Sequence, residues 1–254
     1  QLTALKKDGW DTLEEDREAE EDGKKPESGE SNSHGSRFII RENGLRFWVD
    51  LTTGQKTGYY LDQRDNRQLI KDLSKGKDVL DLFCYSGGFA LHAAAGGALS
   101  VVGVDSSASA VDLARENAQL LDGEADPNSL RFEQRDVFKF LKESEDLGKF
   151  DLVVCDPPKF APSRRDLPKA TRRYIRLNAE VMRRIRPGGL LLSCTCSGAM
   201  TQSGDSFINA LKSAASEAGR KIMVLETRHA ARDHVVQLAY PEGNYLTAVL
   251  LTVF

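Results

Sequence analysis

Val79-Leu80-Asp81-Leu82-Phe83-Cys84-Tyr85-Ser86-Gly87-Gly88-Phe89 decides how this chain folds. Its first five residues make an apolar strand, and an Ala-rich helical run follows the paired glycines. Glycine lets a backbone pass close to a ligand, and doubly wound sheets bind ligands at the carboxyl ends of their strands. Working outward, apolar strand candidates at 101–105, 130–134, 150–156 and 190–194 alternate with helical spacing: Val111, Ala114, Ala118 and Leu121 in one stretch, Tyr174, Leu177 and Val181 in another. From Tyr59 onward this alternation predicts an α/β domain whose parallel sheet is covered on both faces. Pro187-Gly188-Gly189 is expected to end a helix and turn the chain into the fifth strand. Two further strand candidates lie at 221–227 and 245–254, with Pro241-Glu242-Gly243-Asn244 as the turn before the last.

Before that domain the composition changes. Residues 1–37 hold 11 acidic and 6 basic side chains, and from about Glu14 to Ser36 almost nothing is apolar, so an acidic, largely disordered segment is expected. Residues 38–58 form an accessory β-hairpin, because Asn43-Gly44 suits the positive backbone angles of a tight turn between 38–41 and 45–51. Residues 59–254 then form the main domain. The 254 residues are 40% hydrophobic, enough for a core. They contain neither a run of roughly 20 uncharged apolar residues nor the apolar core of a signal peptide, which argues against membrane insertion and secretion. Four cysteines in such a length make no disulfide framework, so a reducing compartment is expected: the cytoplasm, or the matrix or stroma of an organelle.

The strand-end acids outline a cofactor site. Asp105, ending the second strand of the domain, is placed to accept hydrogen bonds from both ribose hydroxyls, and Asp136, after the third, to meet an adenine edge. Each alone equally caps the next helix. The Gly-x-Gly-x-x-Gly fingerprint is absent, which removes support for a pyrophosphate. A nucleoside cofactor without pyrophosphate fits, and S-adenosylmethionine is the commonest. The expected cofactor set is Asp81, Phe83, Tyr85, Ser86, Gly87, Gly88, Asp105, Ser106, Asp136, Val137 and Asp156.

Two further loops open on the same edge. Asp156-Pro157-Pro158-Lys159-Phe160 is stiffened by two prolines, so Asp156 is held where it can hydrogen-bond the polar edge of a flat base while Phe160 offers a stacking surface. A plain structural turn over a buried Phe is the alternative. Cys196 lies beyond its strand on a small-residue loop, where a thiol can act as a nucleophile. Cys84, Cys155 and Cys194 read instead as packing residues, and the four cysteines lack metal-ligand spacing, so no metal is expected. Residues 159–186 carry ten Lys or Arg against Asp166 and Glu180, a partner for phosphate or simply a solvated helix face.

The segment from Gly54 to Phe254 resembles the class I S-adenosylmethionine-dependent methyltransferases that make 5-methylcytosine in large-subunit ribosomal RNA. The matching residues are Gly58-Tyr59-Tyr60-Leu61-Asp62-Gln63-Arg64, the 81–89 loop, Asp105, Asp136, Asp156-Pro157-Pro158-Lys159-Phe160, Arg172, Tyr174, Asn178, Cys196-Ser197-Gly198 and Pro241-Glu242-Gly243. The resemblance implies a doubly wound, Rossmann-like sheet of seven strands with the last antiparallel. It implies Cys196 as nucleophile, Asp156 positioning the cytosine, Gln63 and Arg64 near cofactor or RNA, and Arg64, Lys159, Phe160, Arg172 and Tyr174 as an RNA-binding set. Three departures stand out: these residues include no counterpart of the N-terminal RNA-binding PUA domain usual in the family, as expected of a fragment or a trimmed homologue, Lys159 replaces a product-releasing cysteine of other RNA 5-methylcytosine enzymes, and His234-Val235 stands where His-Pro is usual. The base that removes the carbon 5 proton is therefore unassigned, and so is the oligomeric state. A guanine methyltransferase of ribosomal RNA, a non-catalytic module that holds S-adenosylmethionine or RNA, and a nicotinamide oxidoreductase are the competing readings.

Overall fold

The computed structural model describes residues 37–51, 58–121, 129–143, 149–161 and 163–254. The expected disorder of the acidic N-terminal segment lies outside the described residues. The chain divides into two compact units at Tyr60/Leu61. In the first, β1 (Arg37–Glu42) pairs antiparallel with β2 (Leu45–Asp50). Asn43 and Gly44 both take left-handed φ, 51° and 85°, as a two-residue hairpin turn requires. Leu45, Phe47 and Val49 alternate as the buried face of β2, Tyr59 packs its ring 5.2 Å from that of Phe47, and its hydroxyl donates to Glu42.

The second unit opens with a 3-10 turn, Leu61–Gln63, running into α1 (Arg64–Leu73). There follow β3 (Asp78–Leu82), α2 (Gly88–Ala95), β4 (Ser100–Asp105), α3 (Ala108–Ala118), β5 (Leu130–Gln134), α4 (Val137–Glu143) and β6 (Phe150–Cys155). After these come α5 (Leu167–Arg184), β7 (Ile185–Thr195), a single turn α6 (Gly198–Thr201), α7 (Ser206–Ala218), β8 (Ile222–Arg228) and β9 (Thr247–Val253). The seven strands order as β5-β4-β3-β6-β7-β9-β8, with β9 antiparallel to both of its neighbours. The chain winds outward from β3 in both directions, so the β3/β6 junction is a topological switch point, where such sheets bind ligands.

Central strands are buried on both faces, which is why they read as continuous Val/Leu runs: β9 is buried at every position. The core on one face gathers Leu80, Leu82, Val153 and Leu191 under Tyr174, Leu177 and Met182 of α5 and Phe207 and Leu211 of α7. One expectation is corrected. Pro187-Gly188-Gly189 lies inside β7 as an irregularity, not ahead of the strand, because Ile185 already pairs with Phe150 and regular pairing resumes only at Leu190 opposite Leu152. Gly188 supplies the left-handed φ of 82° that this irregularity needs. At this end of the sheet Arg186 donates to both Asp78 and Asp151, tying β7 to β3 and β6. The opposite, carboxyl end is left to the loops.

Candidate active site

Five loops meet at the carboxyl ends of the strands. The one after β3 is tightly wound: Phe83, Tyr85 and Gly87 take left-handed φ of 63°, 48° and 84°. Non-glycine residues adopt that region only when their surroundings force it. Here Phe83 and Cys84 both donate their backbone N–H to Val104 O, and Gly87 N–H to Cys84 O. Asp105 completes the brace, its Oδ2 accepting from Tyr85 N at 3.0 Å and its Oδ1 from Ser107 N at 2.9 Å. Asp105 is thus fixed beside the glycine loop. Ser106 next to it is exposed, while the Ser86 side chain is buried.

Asp81 sits one strand inward, 1% exposed, with Oδ2 accepting from Ala90 N and Oδ1 without a hydrogen-bond partner among the described residues. Burial pushes its carboxyl far above the usual carboxylate range, and the nearby charges of Asp156 and Asp105 push it further. Three acids therefore crowd the switch point. A cationic ligand relieves that crowding, whereas a pyrophosphate adds to it. The sulfonium and ammonium groups of S-adenosylmethionine fit this set of acids. Asp136 is placed differently: it accepts from Lys139 N at 2.9 Å and so caps α4, with the Val137 side chain packed inward.

The loops after β6 and β7 are bolted together. Ser197 donates its hydroxyl to Ala161 O at 2.8 Å, and Cys196 Sγ lies 3.9 Å from Pro157 O. Ser197 N–H in turn donates to Thr195 Oγ1, which shares a hydrogen bond with the Tyr174 hydroxyl. Cys196 is the half-buried thiol of the four; Cys84, Cys155 and Cys194 are buried. Burial pushes those three thiols up and keeps them protonated, so none is a ready nucleophile.

Asp156 is oriented by a chain of donors of which the sequence-based expectations named Gln63 alone. Arg228 Nε donates to Asn66 Oδ1 at 2.8 Å, Asn66 Nδ2 to Gln63 Oε1 at 2.6 Å, and Gln63 Nε2 to Asp156 Oδ2 at 2.9 Å. A guanidinium only donates and a carboxylate only accepts, so the direction of both amides is fixed by the two ends. Gln63 and Asn66 are 3% and 1% exposed, which makes this a buried and satisfied network. The available signal was polar residues at 63, 66 and 67, on the helical face that also carries Ile70.

The residues expected to bind RNA divide. Lys159 and Arg172 are exposed. Tyr174 is 0% exposed, which corrects its expected contact with RNA: its ring belongs to the core and its hydroxyl to Thr195. Burial raises that phenol's pKa beyond the usual tyrosine range. The Phe160 ring lies 4.9 Å from Tyr174 and carries the Arg173 guanidinium at 4.2 Å, so a cation stacks where a base was expected. Arg64 donates to Asp233 at 2.6 Å and to Asp65.

The fold, the glycine loop and the acid set define a methyltransferase site, and residues 24–230 match the family model of the S-adenosylmethionine-dependent methyltransferases. The chain belongs to that family. Similar curated proteins are the Ribosomal RNA large subunit methyltransferase I of Aeromonas hydrophila, 46% identical over 84% of this chain and 53% of its own length, and that of Shewanella denitrificans, 43% identical over 85% and 54%. The chain spans about half the length of these relatives. A Streptococcus mutans structure assigned to the S-adenosylmethionine-dependent methyltransferases superposes with a TM-score of 0.74 at 27% identity, over 85% of this chain and 55% of that one. TYW2 of P. horikoshii, crystallised with MeSAdo, shares the fold alone at 14% identity, with a TM-score of 0.61 over 86% of this chain and 72% of that one.

Asp105→Ala is expected to weaken S-adenosylmethionine binding more than about tenfold, because a hydrogen bond to a charged group contributes roughly 1.5 to 3 kcal/mol and the loop also loses its brace. Titration calorimetry of the variant checks this. Affinity equal to that of the parent chain would move the cofactor elsewhere.

Proposed function

We propose that this chain transfers a methyl group from S-adenosylmethionine to carbon 5 of a cytosine in RNA, and that the RNA is the large-subunit ribosomal RNA named for its relatives, through a transient adduct at Cys196. The observation that carries the reading is the joining of two loops, in which the half-buried Cys196 thiol meets the carbonyl of Pro157, the residue after the oriented Asp156 carboxylate. S-adenosylmethionine, when bound, supplies an electrophilic methyl group. Asp81, the 83–88 loop and Asp105 would hold it, with Ser106, Asp136 and Val137 at the nucleoside end.

Everything else falls to the chain's own side chains. Carbon 5 of cytosine is a poor nucleophile until a thiolate adds to carbon 6, so Cys196 Sγ forms a bond to carbon 6 as the C5=C6 pair moves to carbon 5. Asp156 receives the polar edge of the base, and the Arg228–Asn66–Gln63 chain keeps its carboxylate from turning away. Lys159 and Arg172 offer exposed cations to the phosphates. The buried Tyr174 supports Thr195, the residue immediately before Cys196.

Incubating the chain and S-adenosylmethionine with unmodified large-subunit RNA is expected to yield 5-methylcytidine by nucleoside mass spectrometry. RNA carrying 5-fluorocytosine is expected to become covalently trapped, since fluorine blocks the final elimination. A methylated guanosine as product, with no trapping, would favour the guanine reading and sink this one.

A further inference from the structure

The turn Leu61–Gln63 reaches both halves of the site. Gln63 goes to Asp156, and its neighbour Asp62 goes to Tyr245, whose hydroxyl donates to Asp62 Oδ2 at 2.5 Å. Tyr245 belongs beside the nucleophile loop. Thr195 pairs with Thr247 at the end of the β7–β9 ladder, so the chain beyond each strand, Cys196 to Gly198 on one and Tyr245 on the other, runs side by side. Thr201 Oγ1 donates to Tyr245 O at 2.9 Å, and a Cβ built on Gly198 would stand 3.6 Å from that of Tyr245. Burial first and Asp62 next raise the phenol's pKa, and Cys196 and Asp156 both lie near enough to add to that rise. His234 packs edge-on against its ring at 5.4 Å, and Ala231 N–H donates to Asp62 O, which pins this segment to the turn.

Asp62 is 7% exposed, and its Oδ1 has no hydrogen-bond partner among the described residues. A buried carboxylate oxygen left unsatisfied is costly, and its retention calls for a reason. The other oxygen of Asp62, Oδ2, holds the Tyr245 hydroxyl, so the carboxyl can take that proton at Oδ2 without giving up a second partner.

We propose that Tyr245, backed by Asp62, is the base that removes the carbon 5 proton and so releases the product. The proposal rests on the carbon 5 reading above. Once carbon 5 holds the methyl group, its C–H bond breaks and that pair rebuilds the C5=C6 bond. The C6–S bond breaks, and its pair returns to Cys196 as thiolate. The carbon 5 proton passes to the Tyr245 oxygen while the phenolic proton moves along its existing hydrogen bond to Asp62, so the phenol ends neutral and the carboxyl protonated. Burial first, then the hydrogen bond to Asp62, raises the phenol's pKa, in keeping with a group that relays a proton and does not stand as a phenolate. Tyr245 is the catalytic residue of this step, and Asp62 the acceptor behind it.

The test uses the full chain with Tyr245→Phe, which keeps the ring against His234, and Asp62→Asn, which keeps the shape of the carboxyl. With S-adenosylmethionine and RNA bearing ordinary cytosine, both variants are expected to accumulate a methylated, denaturation-resistant adduct at Cys196 that the parent chain does not retain. Turnover should fall roughly a hundredfold, as expected for loss of a general base. Trapping on 5-fluorocytosine RNA should persist in both, because addition and methyl transfer do not need the pair. If Tyr245→Phe turns over like the parent, or if either variant loses trapping on 5-fluorocytosine RNA, the assignment to release is overturned. Absence of trapping by the parent chain itself would instead strike the carbon 5 reading and the inference with it.

Discussion

Cys196→Ser is expected to lower methyl transfer by at least about a thousandfold and to abolish trapping on 5-fluorocytosine RNA, while leaving thermal stability nearly unchanged. This is the largest effect expected of any single substitution in the chain. A serine hydroxyl has nearly the shape of the thiol but is not ionised near neutral pH, and the removal of a covalent nucleophile is among the costliest changes an enzyme can suffer. Stability is spared because the side chain is half-buried and its polar contact, 3.9 Å to Pro157 O, is a weak one. Cys194→Ser is the matched control. That thiol is 0% exposed in β7, two residues away, so the substitution places a hydroxyl in the core and should lower stability ahead of activity. Single-turnover methyl transfer and denaturant unfolding, run on both variants, separate the two. Activity of Cys196→Ser within tenfold of the parent would rule out a thiol adduct.

What the sequence carried was local. Strands 79–83 and 101–105 were legible because buried parallel strands print continuous apolar runs, and Asn43-Gly44 announced its hairpin through backbone geometry alone. Cys196 and Asp156 were legible for a related reason, since each is the polar residue that follows an apolar run. The contacts that orient them were not. Gln63 and Asp156 are separated by 93 positions, Asn66 and Arg228 by 162, and Asp62 and Tyr245 by 183, and no periodicity links residues so far apart. Tyr174 failed in the opposite direction: the resemblance puts it in an RNA-binding set, yet the α5 spacing that buries Leu177 buries Tyr174 too, and beside it Arg173 lies over the Phe160 ring. The α4 cap at Asp136 shows the same ambiguity decided toward a structural contact in the protein alone. Local pattern locates the edge of a site, and tertiary contacts decide which way each side chain on that edge points.

Asp156→Asn is the second large effect, and its interest lies in what it leaves intact. The amide oxygen of asparagine can still accept from Gln63 Nε2, so the Arg228–Asn66–Gln63 chain keeps its partner and the fold should lose less than about 1 kcal/mol. What disappears is the negative acceptor proposed for the base edge. Loss of a positioned acid or base costs on the order of 10² to 10⁴ in rate, so kcat should fall by that range while S-adenosylmethionine affinity changes far less. Asp156→Ala differs in kind: it strands the Gln63 donor in a buried site, and an unsatisfied group there costs roughly 1 to 3 kcal/mol. The pair of variants therefore separates orientation from chemistry. Equal losses of kcat with unequal losses of stability are the expected pattern, measured by single-turnover methylation beside urea unfolding. Should Asp156→Asn keep its rate, the carboxylate charge does not act on the base, and Gln63 would then hold Asp156 for architecture alone.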